Sequence, residues 1–159
     1  MLPVDRATAE CWQLGADHIT VLATCAQTRG HLFAVEIRMP PGGGPPVLHR
    51  HEPSEVYYVL EGEFAFYIGG ADGVTRHRAG PGATVPLAGG TPHTIRNETD
   101  SDAVAFVVHT PGATMENFSR AAAALAADGP PAMEQVLALA QRHGIELLGP
   151  IPDGVRPAR

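Results

Sequence analysis

Between residues 19 and 109 apolar side chains fall on alternate positions in short runs. Phe33, Val35, Ile37 and Met39 alternate with Ala34, Glu36 and Arg38, and Phe64, Phe66 and Ile68 alternate with Glu63, Ala65 and Tyr67. A period of two is what a strand shows when one of its faces is buried. Such runs at 19–24, 31–39, 56–60, 63–68, 84–86, 94–96 and 103–109, broken by turn residues, predict an all-β sandwich or small barrel. Pro40-Pro41-Gly42-Gly43-Gly44-Pro45-Pro46 cannot hold a regular strand, and Gly69-Gly70-Ala71-Asp72-Gly73 supplies the residues of a hairpin turn.

After Pro111-Gly112 the period lengthens. Met115, Phe118, Ala122 and Leu125 recur at helical spacing and stop at Asp128-Gly129, while Met133, Val136, Leu137 and Ala140 recur and stop at Gly144. The pattern predicts one domain over 1–159, with a β-barrel at 19–110 and a C-terminal helical extension of two helices at 113–148, packed on or beside it. Residues 1–18 read as a short helix leading into the body. The Pro- and Gly-rich segment 149–159 is expected to fray or run along the surface.

Composition narrows the chemistry. The chain of 159 residues has a formal charge of −6, a field that repels phosphate backbones and anionic lipid, so neither nucleic acid nor a membrane is an expected partner. All 11 basic residues are Arg; without Lys there is no Schiff-base chemistry and no P-loop of the usual kind. Ser54, Ser101 and Ser119 lie outside any nucleophile elbow. Cys11 and Cys25 have no C-x-x-C spacing, and the start of the chain has no leader-like run, so a reduced cytoplasmic protein with two buried thiols is the expectation. The eight His remain as the chemical resource.

Two segments concentrate them. The first reads Gly43-(x)5-His49-x-His51-(x)3-Glu55-(x)6-Gly62. On a strand, residues two apart point to the same side about 6–7 Å apart, so two imidazoles can converge on one ion at about 2.1 Å. An H-x-H pair alone is weak evidence, since shuffling eight His over this length yields one about 0.4 times. The added Glu and the two outer Gly make coincidence hard to defend. The second segment, Gly82-(x)7-Gly90-(x)2-His93-(x)3-Asn97, offers a fourth ligand after a Gly-rich turn.

These two segments resemble the paired motifs of the cupin superfamily, G-(x)5-H-x-H-(x)3,4-E-(x)6-G and G-(x)5-P-x-G-(x)2-H-(x)3-N. The first is matched at every fixed position. In the second, Ala88 stands where the motif has Pro, and Pro86 with Gly80 suggests a turn two residues longer. The resemblance covers about residues 30–110, and the helical tail looks like that of small single-domain bacterial cupins. It implies a β-jelly roll, one metal held by His49, His51, Glu55 and His93, and a homodimer. Three imidazoles and a carboxylate suit Fe, Mn, Ni, Co or Zn, while calcium and magnesium prefer oxygen ligands. Related small cupins imply a dioxygenase-type oxidoreductase acting on an aromatic or enolic small molecule, with Glu55 as both ligand and base. The alternatives are a non-redox Zn or Ni enzyme for cyclisation, isomerisation or dehydration of a polyketide-like or carbonyl substrate, and a metal-containing binding module without catalysis.

Other positions have plainer readings. The four candidate ligands could form a hydrogen-bonded polar cluster in a barrel that has lost its metal. Glu55 in an apolar barrel is expected to have a raised proton affinity that coordination offsets. Tyr57 shares the parity of Glu55 and faces the cavity, and Phe64, Phe66 and Phe106 are read with it as lining the substrate pocket or as core. Arg50 should point outward, and Glu36 with Arg38 reads as a surface salt bridge. His109, isolated at a strand end, reads as structural, and His18, His31, His77 and His143 as surface or capping residues.

Overall fold

The alternating runs pair into two six-stranded sheets in the computed structural model, which describes residues 2–158. One sheet has the order β1 (Cys11–Leu14), β2 (Asp17–Ala23), β3 (Phe33–Met39), β10 (Ala103–Thr110), β5 (Ser54–Glu61), β8 (Thr84–Leu87). The other has the order β11 (Glu146–Pro150), β4 (Val47–Arg50), β9 (His93–Arg96), β6 (Phe64–Gly70), β7 (Gly73–Ala79), β12 (Arg156–Pro157). From β3 to β10 the chain passes back and forth between the sheets, the connectivity of a β-jelly roll. The inward parity of both sheets forms one core, in which Val59, Phe64, Phe66, Ala105 and Val107 are fully buried.

β5 shows how the pattern positions a site. Glu55, Tyr57 and Val59 face inward and are buried, whereas Val56, Tyr58 and Leu60 on the opposite parity are exposed. Ala65 and Tyr67, on the outer parity of β6, join Leu48 in a second apolar cluster with Ile151 and Val155 packed against it. The C-terminal segment therefore covers the outside of the second sheet. The turn from β5 into β6 requires Gly62, whose φ is +67° and whose Cβ, if present, would lie 2.5 Å from the Asp102 carbonyl oxygen.

Several elements differ from the sequence-based expectation. The described part of 1–18, residues 2–18, contributes not a helix but β1, paired in a hairpin with β2, and Trp12 of β1 stacks on Phe33. The helices run over Ala113–Ala126 (α2) and Met133–Arg142 (α3), so the helical extension stops short of 148. Residues 146–150 instead form β11 against β4, and β12 runs parallel to β7, so the tail is tied into the sheet. A short helix over Cys25–Thr28 (α1) begins in a capping box between Thr24 and Gln27. Cys11 is exposed and Cys25 half-buried, so the thiols are not both core residues. Glu36 pairs with Arg6 and Arg38 with Asp102, not with each other. Arg50 does point outward, with Nε 2.7 Å from Glu146. No helix among the described residues is long and apolar enough to cross a membrane.

Replacing Gly62 by Ala forces an L side chain into a left-handed backbone and against a backbone oxygen. Urea unfolding of Gly62→Ala should show a loss of at least about 1–2 kcal/mol, the usual left-handed penalty; a neutral result would contradict the turn described here.

Candidate metal centre

Two cross-strand pairs build the site from opposite sheets. In the second sheet His49 of β4 lies in register with His93 of β9, which puts both imidazoles on the inner face. In the first sheet Glu55 of β5 lies in register with His109 of β10. His51 follows β4 by one residue and keeps the inward parity of His49. The loop carrying it is clamped from outside, where Gly90 N–H donates to the His51 carbonyl at 2.7 Å and Gly89 N–H to Ser54 Oγ at 2.9 Å. Gly89 has no alternative here, because a Cβ would sit 1.8 Å from the Glu52 carbonyl oxygen.

The ring orientations are fixed from behind. His51 Nδ1 lies 2.9 Å from the Pro53 carbonyl and His93 Nδ1 2.8 Å from the Thr91 carbonyl. Each Nδ1–H donates to its carbonyl, which leaves Nε2 with its lone pair directed inward. His49 Nδ1 stands farther from the Val47 carbonyl, at 3.4 Å. One nitrogen from each of His49, His51 and His93 falls within 4.8 Å of the others. Glu55 Oε1 approaches His93 Nε2 to 2.5 Å and His51 Nε2 to 3.5 Å.

These close approaches are not hydrogen bonds. His51 Nε2, His93 Nε2 and Glu55 Oε1 are all buried without a hydrogen-bond partner. Unpartnered buried polar atoms are rare and costly in folded proteins. Electron-pair donors that crowd one point without bonding to each other are what a cation would satisfy, so the residues fit a divalent metal and the donor set fits a transition metal.

Electrostatics follow from this crowding. Burial pushes the Glu55 carboxyl up, but His109, His51 and His93 outweigh it and hold the group well below the usual carboxylate range. The expected rise in Glu55 proton affinity is therefore reversed, because its surroundings are imidazoles and not an apolar wall. Burial, reinforced by neighbouring His93, lowers His49 to about 4. His93 moves the other way, since contact with Glu55 overcomes the effect of burial. Burial and the adjacent Glu55 raise the Tyr57 phenol well above its ordinary range.

Of the expected pocket residues, Tyr57 reaches the site, where its hydroxyl donates to Glu55 Oε2 at 3.3 Å. Phe66 packs edge-on against Tyr57 with ring centroids 5.1 Å apart, and Phe64 lies fully buried beside Phe66 in the core. Phe106 does not belong here. The pleat of β10 turns Ala105, Val107 and His109 inward and places Phe106 on the other face, in register with Glu36 and Tyr58. His109, read as structural from its isolation, instead contacts Glu55 Oε2 through Nε2 at 2.9 Å. Its position on the apolar parity of β10 was the available signal.

Comparison with known proteins places this geometry. No curated protein sequence matches the chain. Among solved structures, the polyketide cyclase RemF from Streptomyces resistomycificus superposes with a TM-score of 0.60 and 21% identity, covering 70% of this chain and 80% of that one. A protein described as a predicted oxalate decarboxylase from Thermotoga maritima gives 0.61 and 19%, covering 69% and 98%. A sugar phosphate isomerase from Silicibacter pomeroyi gives 0.55 and 20%, covering 67% and 74%. At these identities the likeness is one of fold. The sequence of residues 35–109 matches the family model of the cupin domain, a span that contains both cross-strand pairs and His51. That match makes residues 35–109 a cupin domain, on which the jelly roll is built.

Proposed function

We propose that the protein is a metal-dependent cupin enzyme that acts on an aromatic or enolic small molecule in a dioxygenase-type oxidation. The observation that carries this reading is the set of buried, unpartnered atoms on His51, His93 and Glu55, converging with His49 from two facing sheets. His49, His51, His93 and Glu55 would hold one divalent transition metal. Such an ion supplies polarisation of a bound substrate oxygen and, when redox-active, electron exchange with dioxygen.

The chain's own groups account for the rest of the chemistry. Glu55 is held as a carboxylate, the protonation state a base needs, while its lowered proton affinity confines it to acidic hydroxyls such as an enol or phenol. Tyr57, backed edge-on by Phe66 in the core, places its hydroxyl against Glu55 and so holds the carboxylate in place. The core residues packed around them are apolar. A second reading is non-redox cyclisation or isomerisation of a carbonyl substrate on the same site, favoured by the polyketide cyclase and the sugar phosphate isomerase among the structural neighbours.

The two readings separate on oxygen. Conversion of an enolic aromatic substrate should stop under strict anoxia and resume on readmission of air; undiminished conversion without oxygen would overturn the oxidative reading and leave the non-redox one. Under air, Glu55→Gln should lower kcat by about 10²–10⁴-fold, the usual range for a general base, and an unchanged kcat would remove Glu55 from that role.

Metal affinity should depend on pH with a defined sign. Because Glu55 raises the proton affinity of His93, lowering the pH below neutrality puts a proton on an imidazole that metal must displace. Zinc affinity measured by chelator competition should fall from pH 8 to pH 6, by up to about tenfold per pH unit for each displaced proton. Affinity independent of pH over that window would contradict the assignment of His93 as a ligand.

A further inference from the structure

We propose that His109 is a positioning residue for the metal centre: with Tyr57 it pins Oε2 of Glu55, so that the carboxylate presents Oε1 alone to the imidazoles. This rests on the reading that the cluster holds a metal. His109 Nε2 lies 2.9 Å from Oε2 and the Tyr57 hydroxyl 3.3 Å from the same oxygen, while Oε1 faces His51 and His93 and has no hydrogen-bond partner. The two oxygens of one side chain are thus divided between two tasks. A carboxylate fastened through one oxygen by two donors cannot rotate to offer both to an ion.

His109 has no other polar occupation. It is buried, its Nδ1 has no partner, and its ring lies nearly parallel to Phe33 at 5.8 Å. The contact with Glu55 is thus its one polar contact, set against the cost of leaving Nδ1 buried and unsatisfied. The cross-strand register of Glu55 with His109 fixes the contact through the backbone, so it does not depend on a flexible side chain finding its partner. Partners of this kind behind a metal ligand set its orientation, and removing one weakens metal binding by about 10–100-fold.

The test uses the full chain loaded with cobalt(II), whose visible absorption reports ligand geometry, together with affinity from chelator competition. His109→Phe keeps the ring and its packing on Phe33 but removes the donor. It should bind cobalt about 10–100-fold more weakly and with an altered spectrum. His109→Gln carries an amide N–H near the position of Nε2 and should return both readouts towards the parent. Parental affinity and spectrum in His109→Phe would overturn the positioning role. Should the parent itself bind no cobalt or zinc, the metal centre would fall, and this proposal with it. A measurement on the unmutated zinc-loaded protein removes any dependence on the folding of variants. Nitrogen-15 NMR of the imidazoles should find the proton of His109 on Nε2. A ring protonated only on Nδ1 could not donate to Glu55 and would overturn the proposal.

Discussion

A carboxylate sits in the interior of this barrel with 2% of its surface exposed, and the need to compensate it organises everything nearby. Burying an unpaired charge costs several kcal/mol even after relaxation, so Glu55 is tolerable only because polar partners converge on it. Histidines from β9 and β10 and from the loop after β4 do so, with a tyrosine from β5 itself. Where those partners stop, at Oε1 and the facing Nε2 atoms, the compensation is incomplete. That incompleteness is the structural case for a cation, since a cluster kept only for stability would close its own hydrogen bonds.

The jelly roll meets this need through strand register. One cross-strand pair in each sheet, His49 with His93 and Glu55 with His109, sets two walls of the site against each other. β4 is only four residues long, yet it is not left at the sheet edge, because β11 pairs with it on the side away from β9, with Leu147 opposite His49. The C-terminal segment thus steadies the strand that carries His49. The Gly-rich loop before β9 does the same for His51 by bonding to its carbonyl. Rigid support of this kind holds the imidazoles in place without help from a bound group.

The strongly alternating strands β3, β5, β6 and β10 could be read from the chain because each has one face in a single apolar core. The inward direction of His49, His51 and Glu55 could be read because spacing on a strand translates directly into direction. Other elements hid for physical reasons. β7 carries Thr75, Arg76, His77 and Arg78 and has no apolar face to betray it. β4 is short and flanked by the Pro- and Gly-rich turn. β1 and β11 are strands because of the partners they meet, β2 and β4, and local preference alone does not determine such pairing. Phe106 and His109 were misjudged together: three residues apart on one strand, they face opposite sides, and residue type counted for more than parity in the reading of both.

One ion at the meeting point of the two sheets is what would complete this cluster. Anomalous diffraction from a crystal of the protein, collected on either side of the absorption edge of the bound metal, tests this most directly. The prediction is a single peak within about 2.0–2.3 Å of ligand atoms on His49, His51, His93 and Glu55. A fully ordered site with no anomalous peak there after incubation with manganese, iron, cobalt, nickel or zinc would contradict it.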